Sequence, residues 1–368
     1  MVAGQFIPAH AIDRPELRRE LDSALVRPLT LVIAQAGSGK SVLLSQWVAS
    51  HPEVGCAWVD VYETDDDPSA FVERITRALQ TTEPAIESAD HSGAMGETVL
   101  VLDDLHHLTN LRTLDNLRTL LERLPSHIHV VISSRVDFPM TWTKIRLRND
   151  IGEIRQSALA MNHEESAALL TAITGRELDR ASISALLDRT EGWAAGLLLA
   201  GMTLRLRHDS AKFIAEFTGS DRLVADYLSE EVLDALPQND RSALLELSVL
   251  DHMSAELIAH LAQSPHGADL LARFERQSMF LIPSDNSRES FRFHQLFRDL
   301  LRYRLRAEDP TAEARILARA ALWHLKRGES GYAIDYFLRA RDWDRALAAI
   351  SPRGAGVFER GDLVAVAR

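Results

Sequence analysis

The chain has 368 residues, of which 46% are hydrophobic and 26% are charged, and this length and composition are typical of a globular protein with about two to four domains. The formal net charge of −12 argues against a broad nucleic-acid-binding surface, although a locally basic groove stays open. Cys56 is the sole cysteine, which excludes an intrachain disulfide and a cysteine-ligated zinc site and indicates a reducing compartment.

The N-terminus has no secretory signal pattern, and no apolar run approaches the length of a membrane span. We therefore expect a cytoplasmic protein with no membrane partner.

The first strong pattern is an apolar strand that leads through a small, glycine-containing turn into a helix. Leu29–Ile33 is rich in β-forming residues, and residues 42–48 have their apolar side chains on one helical face. The turn between them reads Ala34-Gln35-Ala36-Gly37-Ser38-Gly39-Lys40-Ser41. A turn of this type that ends in Gly-Lys-Ser, between a strand and a helix, predicts a phosphate-binding loop.

In such a loop the glycines let several backbone N–H groups face one concavity, where a polyphosphate lies at a helix N-terminus. We predict that six residues bind the nucleotide: Gly37, Ser38, Gly39, Lys40, Ser41 and Val42. Lys40 is expected to reach the β- and γ-phosphates, and the Ser41 hydroxyl to bind Mg²⁺. Ala34 occupies the place of the usual first glycine, which it fits if its φ is negative. The alternative is a glycine-rich turn that binds nothing.

Strands and helices alternate after the loop. We predict strands over 56–61, 98–104, 127–133 and, more briefly, 153–155. We predict helices over 68–79 and 111–124. Asp67 is the expected N-cap of the first of these helices, with Pro68 at its first position. The alternation indicates a doubly wound, mostly parallel α/β sheet, in which ligands bind at the carboxyl ends of the strands.

Three charged residues are expected at those strand ends. Asp103 closes an apolar strand, the usual place of a second Mg²⁺ anchor, and Asp104 is placed to orient or deprotonate the attacking water. The alternative is that the two acids only cap the next helix. Arg135 follows the next strand, where a guanidinium either senses the γ-phosphate and stabilises transition-state charge or is an ordinary surface arginine.

The second half of the chain has a helical pattern. We predict helices over 163–173, 179–190, 193–206, 222–236, 238–247, 255–261 and 268–276. A β-hairpin over 279–294 follows these helices, which indicates a winged-helix domain. From residue 312 onward, paired helices with small and aromatic positions resemble the start of a helical repeat array.

Several residues have interpretations that need no ligand. Trp193 and its small neighbours are interpreted as allowing close helix packing. His106 and His107 are expected to point apart on a helix, and no histidine has metal-ligand spacing. His294 ends the hairpin ahead of a helix at 295–305, and on the residues alone it caps that helix or packs in the wing.

Together these segments resemble the STAND class of signal-transduction ATPases, and within it the MalT-like, LuxR-type ATP-binding regulators. The resemblance covers most of the chain and rests on residues 34–41, 99–104, 132–135, 190–197 and 291–301. It implies an α/β P-loop NTPase domain with helices on both faces of a parallel sheet. A helical domain, a winged-helix domain and the start of a TPR-like repeat array are implied to follow. We place the four parts at 1–158, 159–218, 219–308 and 309–368.

The resemblance also implies roles for single residues. Five keep the roles given above: Lys40, Ser41, Asp103, Asp104 and Arg135. His294 is similar to the winged-helix histidine that reaches the β-phosphate of ADP in related switches, and Arg14 is implied to lie near the nucleotide.

The implied function is a switch that holds ADP when closed and ATP with Mg²⁺ when open, and that hydrolyses ATP slowly. An inducer read by further repeats would favour the open form, which assembles into a homo-oligomer. DNA would be bound only through a C-terminal helix-turn-helix domain that this chain does not include. The alternatives are a general P-loop or AAA-like ATPase with steady turnover and a scaffold that binds nucleotide without hydrolysing it.

Overall fold

The computed structural model describes residues 7–82, 96–137 and 151–350, apart from residues 208, 235, 264–265, 278 and 286. The end of the predicted repeat segment, 351–368, lies outside the described residues. The chain divides into two compact units, Met1–Glu216 and Phe217–Arg368. In the part that the structure describes, no helix is both long enough and apolar enough to cross a membrane.

The first unit is built on a five-stranded sheet. Its strands are β1 (Leu29–Ile33), β2 (Gly55–Asp60), β3 (Thr98–Asp103), β4 (Ile128–Ser134) and β5 (Ile151–Arg155). All neighbours are parallel, in the order β2-β3-β4-β1-β5. The predicted parallel α/β sheet is thus confirmed, with strand bounds that differ from the predicted ones by no more than two residues.

Helices cover both faces of this sheet, which explains why its strands are almost continuously apolar. The helices are α1 (Pro15–Asp22), α2 (Lys40–Ala49), α3 (Pro68–Thr81) and α4 (Leu111–Leu121). Helices α3 and α4 contribute Phe71 and Leu117 to one apolar layer, and α1 and α2 contribute Leu21 and Trp47 to the other. As predicted, Pro68 begins α3 and the Asp67 carboxylate caps it by accepting from Ser69 N at 3.0 Å and Ala70 N at 2.8 Å.

Five further helices complete the first unit. They are α5 (Gln156–Leu159), α6 (His163–Thr174), α7 (Arg180–Thr190), α8 (Ala194–Arg205) and α9 (Ser210–Glu216). Helix α6 begins with a capping box, in which the Asn162 side chain accepts from Glu165 N and the Glu165 carboxylate accepts from Asn162 N. The sequence predicted α6 to α8 and missed α5 and α9, which are too short to show a helical period.

The second unit is mainly helical around a small antiparallel sheet. Its helices are α10 (Arg222–Leu228), α11 (Gln238–Leu247), α12 (Ala255–Ala262), α13 (Gly267–Arg276), α14 (Gln295–Glu308), α15 (Ala312–Lys326), α16 (Ser330–Arg339) and α17 (Trp343–Ile350). Its strands are β6 (Met253–Ser254), β7 (Leu281–Pro283) and β8 (Ser290–Phe293), in the order β6-β8-β7. The predicted hairpin is the β7-β8 pair.

Two predictions in this unit need correction. The single helix predicted over 222–236 changes at Leu228 into one turn of π-helix, Ser229–Leu233, because Asp234 N donates to Ser229 O at 2.9 Å, five residues back. The third strand, β6, was missed because two residues are too few to show an alternating pattern.

Candidate functional site

The parallel sheet brings four strand ends to one edge. Ile33 pairs in register with Ser134 of β4 on one side and with Arg155 of β5 on the other. Strand β3, which ends at Asp103, pairs with the other side of β4. The loop after β1, the acids after β3 and Arg135 after β4 therefore lie along one edge, the position where ligands bind in open α/β sheets.

The loop after β1 has the backbone of a phosphate-binding turn. Gly37 and Gly39 have left-handed φ angles of 70° and 86°, which glycine adopts without steric cost. Helix α2 starts at Lys40 directly after the second glycine. Ala34 keeps a negative φ and is buried, so its methyl group is accommodated where glycine is usual. A strand, two left-handed glycines and a helix N-terminus form the concavity that such loops offer to phosphates.

The Lys40 ammonium lies inside this loop. Its Nζ donates to Ala34 O at 2.8 Å and to Gln35 O at 3.2 Å, and the residue is buried. A buried ammonium is costly unless carbonyl or charged oxygens accept its hydrogen bonds. The two carbonyls therefore hold a positive charge beside the N-terminus of α2, where it would attract a bound polyphosphate.

Oxygen atoms of Asp103 and Ser41 meet beside the loop. The buried Asp103 carboxylate accepts from the hydroxyls of Ser133 and Ser41, and Ser133 Oγ also accepts from Asp104 N at 3.0 Å. Burial raises the pKa of Asp103, and the two hydroxyl hydrogen bonds and the charge of Lys40 oppose this rise. A carboxylate and a hydroxyl are hard oxygen donors, so these residues fit Mg²⁺, which takes few protein ligands beside phosphate and water. Ser133 was not predicted, because a serine within a strand has no distinctive signal.

Asp104, His106 and Arg135 form the next part of the edge. Asp104 is left-handed with φ 59°, and its Oδ1 lies 3.6 Å from His106 Nδ1. Burial lowers the pKa of His106 to about 2, and the positive charges of Arg135 and Lys40 lower it further. Arg135 directly follows Ser134, whose carbonyl accepts from Ala34 N at 3.1 Å, so Arg135 follows the strand end that contacts the first residue of the loop.

The expectation that His106 and His107 point apart is wrong. They lie in the 3₁₀ turn Leu105–His107, and their ring centroids are 4.3 Å apart. A single turn is too short to impose the α-helical spread on which the expectation depended. Among the described residues no group of three or more histidine, cysteine, aspartate or glutamate side chains is placed to hold a metal ion.

The residues after the sheet also contact the loop, which the sequence did not indicate. Trp193 Nε1 donates to Ala36 O at 2.8 Å, and Ala195 N donates to Gly37 O at 2.9 Å. The Gln156 side-chain oxygen accepts from Gln35 N at 3.1 Å and from Ser38 Oγ at 3.0 Å. The interpretation of Trp193 as a packing residue was therefore incomplete, since its indole N–H is bonded to the loop.

Arg14 joins the N-terminal segment to the start of α6. Its buried guanidinium donates to both Glu165 carboxylate oxygens, at 2.8 and 3.0 Å, and to Leu159 O and Ala160 O, at 2.8 and 3.2 Å. These contacts explain why an arginine is buried here. Its implied nearness to the nucleotide stays a prediction.

His294 belongs to the second unit. The backbone N–H of His294 donates to Phe280 O at 2.8 Å. The imidazole ring packs edge-on against Phe280, with the ring centroids 5.9 Å apart, and the residue is only 2% exposed. It occupies the N-cap position of α14. The structure thus places His294 within the winged-helix core, and its contact with ADP stays a prediction.

Two parts of the chain match described families. Residues 25–134 match an AAA domain, and residues 229–313 match the MalT winged helix domain. The chain therefore contains a P-loop domain and a winged-helix domain of the MalT type. It is 28% identical over 385 residues to the HTH-type transcriptional regulator MalT of Vibrio campbellii, covering 96% of this chain and 42% of that protein.

The chain is also similar to a protein of another kind. It is 30% identical over 345 residues to the serine/threonine-protein kinase PknK of Mycobacterium tuberculosis, covering 87% of this chain and 31% of PknK. The chain thus spans less than half the length of either relative. Among solved structures, the Walker-type ATPase PABY2304 of Pyrococcus abyssi is similar with a TM-score of 0.58 and 14% identity, over 82% of this chain and 99% of that one, which supports the fold alone.

Proposed function

We propose that this chain is the nucleotide-controlled switch of a MalT-like transcriptional regulator of the STAND type, acting in the cytoplasm. It binds ATP or ADP at the loop edge of the sheet, hydrolyses ATP slowly, and holds different conformations with the two nucleotides. The observation that carries this proposal is the shared sheet edge at which the loop with two left-handed glycines and Lys40 lies beside the strand ends that lead to Asp103 and Arg135.

Each group at the edge has a task in this proposal. The N–H groups of residues 37–42 and the Lys40 ammonium bind the phosphates, and Ser41 and Asp103 would hold Mg²⁺. When bound, Mg²⁺ would supply positive charge to the β- and γ-phosphate oxygens. Asp104 orients the attacking water, and Arg135 senses the γ-phosphate.

The two named relatives limit the proposal to the shared region. One is a transcriptional regulator and the other a kinase, and this chain matches less than half of each. A nucleotide switch is a function that both can use, since it controls whatever domain is joined to it. For a MalT-like regulator we propose that α15, α16 and α17 begin a TPR-like array that senses an inducer, that the ATP form oligomerises, and that DNA is bound by a further domain.

The variant Lys40→Ala tests the nucleotide site. We expect the affinity for ADP and for a slowly hydrolysed ATP analogue to fall by about 100-fold or more in calorimetric titration, because charge-assisted hydrogen bonds contribute about 1.5–3 kcal/mol each. Lys326→Ala is the matched control, since Lys326 is exposed in the last turn of α15.

An unchanged affinity in Lys40→Ala would remove the assignment of the loop. A high basal ATPase rate in the unmodified protein would instead favour the steady-turnover alternative, because a switch that awaits an inducer has slow basal hydrolysis.

A further inference from the structure

The start of α8 holds two carbonyl groups of the phosphate loop. Trp193 Nε1 donates to Ala36 O at 2.8 Å, and Ala195 N donates to Gly37 O at 2.9 Å. The residues of the first bond are 157 positions apart in the chain. Both hydrogen bonds lie within the first unit, so they connect the loop with the helices that follow the sheet.

Peptide geometry gives these two bonds a consequence for phosphate binding. In a trans peptide the C=O of one residue and the N–H of the next point in opposite directions. Fixing Ala36 O and Gly37 O toward α8 therefore directs the N–H groups of Gly37 and Ser38 away from α8. These are two of the N–H groups that the proposed function assigns to phosphate binding.

The turn before α8 is built to hold Trp193 in this place. Gly192 has φ 72° and its carbonyl accepts from Met161 N at 2.8 Å. A Cβ on Gly192 would lie 2.7 Å from Met161 O and 2.9 Å from Met161 N, so the two backbones approach as closely as glycine allows. Trp193 N in turn donates to Thr190 O at 2.8 Å. These backbone contacts hold Trp193 in the position from which its indole N–H bonds to the loop.

We propose that Trp193 and Ala195 are positioning residues that keep the loop in its phosphate-binding conformation and transmit its occupancy to α8. The inference depends on the proposed nucleotide binding and adds its regulation. Because binding free energies are reciprocal, a contact that improves nucleotide affinity must itself be strengthened when nucleotide binds. The helices after the sheet then sense the bound nucleotide through α8.

The test uses Trp193→Phe, which keeps an aromatic ring and removes the N–H donor. We expect its dissociation constant for ADP to rise about tenfold, which corresponds to about 1.4 kcal/mol. Hydrogen exchange of residues 193–200 should slow when ADP binds to the unmodified protein and should slow much less in the variant. Trp47→Phe is the matched control, because Trp47 is also 1% exposed and loses one bond, to Asp22 Oδ1 at 3.1 Å.

A purely structural role would lower the melting temperature of both tryptophan variants and leave the ADP affinity of each folded variant alike. That result, or exchange at 193–200 that ADP does not change, would overturn the inference and leave the Lys40 assignment standing. If Trp193→Phe does not fold, hydrogen exchange of residues 193–200 in the unmodified protein, measured with and without ADP, still decides the inference. Absence of ADP binding in the unmodified protein would overturn both proposals.

Discussion

His106 is a single side chain whose charge state depends on residues distant in sequence. It follows β3 in the turn Leu105–His107, with Asp104 at 3.6 Å and the positive charges of Arg135 and Lys40 nearby. Burial and those charges keep the imidazole neutral near pH 7, so it offers one hydrogen-bond donor and one acceptor beside Asp104. No local pattern distinguishes this histidine in the sequence, because its charged neighbours follow three different strand ends.

We expect this histidine to make the folded state sensitive to acid. The unfolded chain takes up a proton on His106 near its ordinary pKa of 6.5, whereas the folded chain, with a pKa of about 2, does not. Stability is therefore lost as the pH falls below 6.5, by up to about 1.4 kcal/mol per pH unit for this group. Urea unfolding at about pH 7 and pH 5.5 should show that the unmodified protein loses about 1 kcal/mol more than His106→Asn.

The comparison with the variant also removes an opposite effect. The raised pKa of Asp103 means that the folded state binds a proton more tightly there, which adds stability as the pH falls. Both proteins carry Asp103, so its contribution cancels in the difference. Equal losses of stability in the two proteins would contradict the neutral state of His106.

At the scale of the element, the turn between α7 and α8 decides where α8 starts. Glu191 and Gly192 are both left-handed, with φ 50° and 72°, and the second residue lies against the backbone of Met161. A glycine in a helical pattern is usually interpreted as a helix end or as close packing. Here one glycine provides both the turn and the approach that bring Trp193 to the phosphate loop.

Gly192→Ala should therefore destabilise the protein by about 2 kcal/mol or more, because a left-handed alanine costs about 1–2 kcal/mol and its Cβ would also overlap the Met161 backbone. Urea unfolding measures the loss. Gly175→Ala is the matched control, since Gly175 has φ 71° at the end of α6 but no atom within 4 Å of an added Cβ. Similar losses in both variants would show that the approach to Met161 does not matter.

At the scale of the whole molecule, the chain joins a P-loop unit to a winged-helix unit. Residues 25–134 match an AAA domain and residues 229–313 the MalT winged helix domain. The predicted role of His294 is to reach the β-phosphate of ADP, and in that role the affinities for ADP and ATP depend on this residue to different extents. Such a difference in affinity between two states is what any nucleotide switch requires.

We accordingly expect His294→Ala to weaken ADP binding by about tenfold and ATP binding by much less, because one hydrogen bond to a charged group contributes about 1.5 kcal/mol or more. Dissociation rates of labelled ADP, together with ATP affinities, give the comparison. His252→Ala is the control, since it is an exposed histidine of the same unit. Equal losses for both nucleotides would count against the closing role.

Local chemistry made much of this molecule predictable. Strand β1, the glycine turn and the start of α2 are contiguous, and the Asp67 cap with Pro68 is decided within four residues. Apolar runs marked the buried strands, and the carboxyl ends of parallel strands necessarily meet at one edge, so Asp103 and Arg135 could be assigned to the loop side. The short elements α5, α9 and β6 were missed because periodicity needs more residues than they have.

The amino-acid order by itself determined the phosphate loop, the strands and the charged strand ends, since each is encoded within a few neighbouring residues. Only the tertiary structure decided the strand order β2-β3-β4-β1-β5, the contact of Ser133 with Asp103 and the bond of Trp193 to Ala36. These depend on packing between segments far apart in the chain. A hydrogen bond between such segments leaves no pattern in either one, because its donor and acceptor meet only after the sheet and helices have packed.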